Sequence, residues 1–87
     1  MYKIEFLKSA AKEFSKLPLK IQKRYLDAFL VLTINPRTEI LDIKKLQHPD
    51  HLFRLRISDY RMIYQILDGK LLILVVRIAH RRDIYKK

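Results

Sequence analysis

The chain has no cysteine, one glycine (Gly69) and three prolines, at positions 18, 36 and 49. A disulfide framework, a thiol nucleophile and a Cys-ligated zinc are therefore excluded, and a reducing, cytoplasmic setting suits the chain. Long apolar runs are also missing. The longest, Leu71 to Val76, has six residues, against the ~20 that a membrane-spanning helix needs. The N-terminus, Met1-Tyr2-Lys3-Ile4-Glu5-Phe6, carries an acid and alternates, unlike a signal peptide. Acids are scarce. The 9 Asp and Glu stand against 19 Lys and Arg, a net charge of +10 on 87 residues. The hydrophobic share, 49%, is too high for a disordered basic tail. What remains is a single small domain over residues 1–87 that takes a polyanion as its partner. Nucleic acid comes first, and an acidic protein is the other reading.

The few glycine and proline residues punctuate the chain. Residues 2–6 alternate as a short strand. Ser9 is placed to cap a helix over about 9–17, in which Ala10, Phe14 and Leu17 recur at helical spacing. Pro18 opens a second helix, amphipathic from Leu19 to about Ile34, and Asn35-Pro36 stops it. Residues 36–50 are mixed, with Leu41, Ile43 and Leu46 as docking points. The period then changes to two over Leu52–Ile57, Tyr60–Leu67 and Lys70 to about Ala79. Asp68-Gly69 reads as a two-residue type I′ hairpin turn, and Ser58-Asp59 as a second, weaker one. The expected fold is α+β, in the order β-α-α-β-β-β. A two-helix hairpin packs on one face of a small antiparallel sheet.

The turns set a register, and the register sorts the side chains by face. Ile57 should pair with Tyr60, Arg56 with Arg61, and Arg54 with Ile63. Across the second hairpin Ile63 should meet Leu74, and Arg61 should meet Val76. The apolar face then carries Phe53, Leu55, Ile57, Tyr60, Met62, Tyr64, Ile66, Leu71, Ile73 and Val75. The other carries Arg54, Arg56 and Arg61 with Ile63, Gln65, Leu72, Leu74, Val76 and Ile78. Like charges directly opposite destabilise a sheet, but they suit an anion held between guanidinium forks. Alternation past Ile78 brings His80 to the arginines, and the segment Arg81–Tyr85 folds over that end. His48, Asp50 and His51 read as loop residues rather than a metal site.

On this reading the arginine face lacks the carboxylates that would hold two Mg²⁺ ions. The residues instead fit metal-free cleavage of RNA, with no cofactor. There the 2′-hydroxyl attacks its own phosphate, and the reaction needs a proton acceptor, cations around the phosphorane and a donor to the leaving oxygen. His80 has a side chain suited to proton transfer near neutrality. Arg61, Arg56, Arg54 and Arg81 offer positive charge, and Tyr85 offers a stacking ring or a hydroxyl.

The run Phe53-Arg54-Leu55-Arg56-Ile57, the block Asp59-Tyr60-Arg61-Met62-Ile63-Tyr64 and the ending His80-Arg81-Arg82-Asp83-Ile84-Tyr85 resemble the RelE/ParE toxin superfamily over essentially the whole chain. The resemblance implies a toxin of a type II toxin–antitoxin pair, with a cognate antitoxin protein as partner. Its RelE-like branch implies an endoribonuclease that cuts messenger RNA on the ribosome. In that branch the catalytic set would be Arg61, His80, Arg81 and Tyr85, with Arg54, Arg56 and Arg82 holding substrate. One departure is arginine rather than lysine at 54 and 56. Arginine keeps its proton, so the general-base role moves to His80. The resemblance leaves two alternatives, a ParE-like gyrase inhibitor without catalysis and a plain RNA-binding domain. The half-apolar, half-basic sheet face also suits an antitoxin segment of mixed apolar and acidic residues.

Overall fold

Alternation at the N-terminus becomes a strand, β1 (Lys3–Phe6). Two helices follow, α1 (Lys8–Ser15) and α2 (Leu19–Ile34). Four further strands complete the chain: β2 (Ile43–Lys45), β3 (Leu52–Ile57), β4 (Tyr60–Leu67) and β5 (Leu72–His80). This computed structural model describes residues 1–47 and 51–84. His48, Pro49, Asp50 and Tyr85 lie outside the described residues. Pro18 takes the N-cap of α2 and Asn35 its C-cap. Ser9 does not cap α1. Leu7 stands at that N-cap, and no side chain bonds to it.

The architecture is the α+β one expected, with two details added. The mixed segment contributes a short edge strand, β2, and the sheet runs β1-β5-β4-β3-β2. β1 joins parallel to β5 and the other pairs are antiparallel. The helices cover one face. Tyr25, Phe29 and Leu32 of α2 meet Leu55, Met62, Tyr64 and Ile73 in the buried core. Phe6, Phe14 and Phe29 pack as a cluster with ring centroids 5.5 to 6.1 Å apart. Two buried tyrosines satisfy their hydroxyls on backbone, Tyr64 on the Pro36 carbonyl (2.8 Å) and Tyr25 on Leu55 (3.4 Å). Burial raises both phenols above their ordinary range.

The first hairpin has the expected register: Ile57 faces Tyr60, Arg56 faces Arg61 and Arg54 faces Ile63. Ser58 supplies the positive φ (54°) of that turn. The second hairpin differs. Asp68–Lys70 is a 3₁₀ turn and Leu71 takes the left-handed conformation, so Leu67 pairs with Leu72. No glycine in the chain has a positive φ, Gly69 included. Leu71, expected in the core, is 48% exposed.

A second irregularity lies farther along. Tyr64 pairs with Val75 but Ile63 pairs with Arg77, so Val76 is an extra residue, a β-bulge. One inserted residue moves every later side chain to the other face. Ile78 therefore enters the core at 1% exposure, where plain alternation had put it outside. Arg61 faces Ala79 rather than Val76, and His80 faces Tyr60.

The end of the sheet away from the β3–β4 turn is fastened by polar groups. Arg37 meets Asp68 with two hydrogen bonds of 3.2 and 2.8 Å, and the Tyr2 hydroxyl donates to Asp68 Oδ1 at 2.6 Å. The Arg37 and Tyr2 hydrogen bonds lower the Asp68 carboxyl to about 2. A depressed carboxyl stabilises above its unfolded value of about 4 and loses that contribution as pH falls toward 2. Asp68→Asn should thus melt below wild type at pH 5–7, and the two curves should meet near pH 2. Melting temperatures across pH check this, and a gap that persists unchanged at pH 2 would refute it.

Candidate active site

β3 and β4 alternate strictly, so the residues turned away from the helices are Arg54 and Arg56 on one strand and Arg61 and Ile63 on the next. Pairing extends this face sideways. Lys44 of β2 lies opposite Arg54, and Arg77 of β5 lies opposite Ile63, with its guanidinium paired to Glu13 of α1 at 3.4 Å. Neither residue was marked in the sequence. Lys44 could have been found from its alternation with Ile43. Arg77 could not, because only the bulge places it there.

The β3–β4 turn gathers three guanidiniums. The Ser58 carbonyl accepts from Arg56 Nε at 3.3 Å and from Arg61 Nη1 at 3.1 Å. Arg61 Nη1 also donates to the Tyr60 carbonyl at 3.2 Å. The Arg81 amide donates to the Asp59 carbonyl at 2.7 Å, and its Nε lies 3.7 Å from Asp59 Oδ1. This ties the segment after β5 to the turn. The backbone then winds back: the amides of Asp83 and Ile84 both donate to the His80 carbonyl, at 2.8 and 3.1 Å, and Ile84 is buried. One turn thus aims Arg56, Arg61 and Arg81 at one end of the sheet.

His80 reaches that end, but on the Tyr60 side and not on the arginine face. The bulge at Val76 is the reason. Its ring meets Tyr60 edge-on at 5.3 Å. Its Nδ1 accepts from the amide (3.2 Å) and Nε (3.4 Å) of Arg82. An imidazole that accepts at Nδ1 carries its proton on Nε2 when neutral. The expected acid-free face also needs correction. Asp42 lies 3.8 Å from Arg54 Nη2 and 3.7 Å from Arg56 Nη1, and Asp59 lies beside Arg81. Both carboxylates come from loops, where alternation gives no guidance. The field of Arg61 reaches through the sheet: with Arg24 it opposes the rise that burial imposes on Tyr25.

On the helix side a separate apolar groove of about 390 Å³ lies between α1, α2 and β1, lined by Phe6, Phe14, Leu26 and Leu30 among others. It has no titratable lining residue and contributes nothing to the arginine cluster.

Residues 4–85 match the model of the family described as the ParE toxin of the type II toxin–antitoxin system parDE. Among relatives, a Methanocaldococcus jannaschii protein bearing the name RelE1 is 30% identical over 98% of this chain and 96% of its own length. The mRNA interferase toxin RelE of Escherichia coli K12 is 28% identical over 92% of this chain and 83% of its own. Among solved structures, the archaeal RelE–RelB complex of Pyrococcus horikoshii contains a chain that is 27% identical with a TM-score of 0.80, covering 94% of this chain and 97% of that one.

Proposed function

Since this chain belongs to the ParE toxin family of type II toxin–antitoxin systems, within the RelE/ParE superfamily, we propose that it acts as an endoribonuclease. Its substrate is messenger RNA, cut on the ribosome in the cytoplasm, and translation stops as a result. The observation that carries this reading is the convergence of Arg56, Arg61 and Arg81 on the turn at 58–59. Asp42 and Asp59 offset only part of this charge, and like charges gathered with incomplete compensation cost stability. A pentavalent phosphorane is the species that such an array stabilises best. The name of the E. coli relative, an mRNA interferase, supports the same chemistry.

In the proposed reaction the 2′-hydroxyl attacks the adjacent phosphorus and the 5′-oxygen leaves, so no metal is needed. Arg61 and Arg81 neutralise charge on the non-bridging oxygens, while Arg54, Arg56 and Arg82 hold the flanking strand. His80, beside the turn on the Tyr60 side, is the proton-transfer group, with Tyr85 as the fallback. The cognate antitoxin is the protein partner. The RelE–RelB complexes among the structural neighbours support that pairing.

A second reading keeps the family name literally, as a ParE-like inhibitor of DNA gyrase without catalysis. In vitro translation with mapping of message ends separates the two. Cut message supports the nuclease, whereas blocked supercoiling with intact message supports the inhibitor. Within the nuclease reading, His80→Gln should slow single-turnover cleavage by about 10²–10⁴, with Tyr85→Phe as the parallel variant. A near-wild-type rate and an unchanged pH profile for His80→Gln would pass the proton to Tyr85 and leave His80 a positioning residue.

A further inference from the structure

Asp42 is an anion lodged among the groups that would bind one. Its carboxylate stands 3.8 Å from Arg54 Nη2 and 3.7 Å from Arg56 Nη1, on two separate oxygens. Both are ion-pair separations, longer than hydrogen bonds. A carboxylate that locked two guanidiniums in place would close to about 2.7–2.9 Å. The backbone of Asp42 is fixed, since its carbonyl accepts the Arg56 amide at 3.0 Å. Its side chain is 53% exposed, so water reaches much of the carboxylate. Arg54 carries the complementary deficit. Its Nε is buried and finds no hydrogen-bond partner among the described residues. Such a donor is a cost that a ligand oxygen would remove. Lys44, directly opposite Arg54, adds a third cation beside the pair.

We propose that Asp42 is the resident counter-ion of the substrate-binding pair Arg54 and Arg56, displaced when a substrate phosphate enters. The nuclease reading matters here only in making that phosphate one from RNA. A phosphate has more oxygens than the Asp42 carboxylate. It can span both guanidiniums, and a turn of the Arg54 side chain on binding would bring the unpartnered Nε to it. Asp42 screens the two guanidiniums from each other before substrate arrives. It also lowers apparent affinity, because only the fraction of molecules with the carboxylate turned aside is competent.

The test is a titration of ¹⁵N-labelled protein with inorganic pyrophosphate, followed on the arginine Nε–H signals. Asp42→Asn is compared with wild type and with Glu5→Gln, the same change in charge on β1, where Glu5 faces Leu74. Asp42→Ser serves as a second variant if the asparagine disturbs folding. The Arg54 and Arg56 signals should move with pyrophosphate in every protein. Removing the Asp42 carboxylate should tighten binding about five-fold, the size of one water-screened contact between unit charges at this distance. Glu5→Gln should stay within about two-fold of wild type, as expected of a charge beyond one Debye length. Unmoved signals from both arginines, unchanged or weaker binding without the Asp42 carboxylate, or equal tightening in Glu5→Gln would each overturn the proposal. A protein that binds pyrophosphate as expected but leaves message whole would instead count against the nuclease reading alone.

Discussion

Arg61→Ala should slow RNA cleavage by about 10²–10³, the usual cost of removing one preorganised donor from a developing oxyanion, while the fold stays intact. Arg61 lies on the sheet face turned away from the helices, and its bonds are to the carbonyls of Ser58 and Tyr60 in its own hairpin. Removing it opens no hole in the core. The melting temperature should therefore shift by only a few degrees. Arg61→Lys keeps the charge but loses the planar fork that bridges two phosphate oxygens, so its rate should fall between the two. Single-turnover cleavage beside a thermal melt checks both halves. Loss of cooperative folding in Arg61→Ala would show that the side chain supports the structure, and an unchanged rate would remove Arg61 from catalysis.

Deleting Val76 should have the largest effect on stability. Val76 is the bulge residue, and without it β5 from residue 77 onward changes face. Ile78 would leave the core and Arg77 would turn toward it. Exposing one buried isoleucine costs about 1.5–3 kcal/mol, and turning the Arg77 guanidinium inward, away from Glu13 at 3.4 Å, costs several more. A domain of this size has roughly 5–15 kcal/mol in all. The deletion should lower the urea midpoint by half or more, or leave no folded state. Val76→Ala keeps the residue count and should cost less than about 1.5 kcal/mol. Near-native stability in the deletion would mean that the bulge does not set the face of Ile78.

The contrast between the two hairpins shows what a sequence of this kind reveals. Strict alternation over Leu52–Ile57 and Tyr60–Leu67, separated by two turn residues, leaves one register that buries the apolar set. The facing of Arg56 and Arg61 was legible for that reason. The next connection carried the stronger turn signal, Asp68-Gly69, and departed from it. Lys70 and Leu71 join the turn, and Leu71 takes the positive φ that the glycine does not use. The bulge is harder still to read. Residues 71–76 are aliphatic throughout, so no polar residue marks which face is which. His80, extrapolated through that run, arrived at the right end of the sheet on the wrong side. Asp42 and Asp59 join the arginines through loops, and no periodicity governs loops. The helices were simpler: an apolar stripe bounded by Pro18 and Asn35-Pro36 gave α2 its observed limits. The sheet edge β2 was missed because three residues are too few to show a period.

On the proposed mechanism the arginine cluster promotes attack by an RNA 2′-hydroxyl on its own phosphate. Ribosomes programmed with a defined message, incubated with the purified protein, report on this through the ends of the fragments. Attack by the 2′-hydroxyl expels the 5′-oxygen, so the expected products carry a 2′,3′-cyclic phosphate upstream of the cut and a 5′-hydroxyl downstream. Message that stays whole, or fragments whose downstream ends carry a 5′-phosphate left by attacking water, would contradict it.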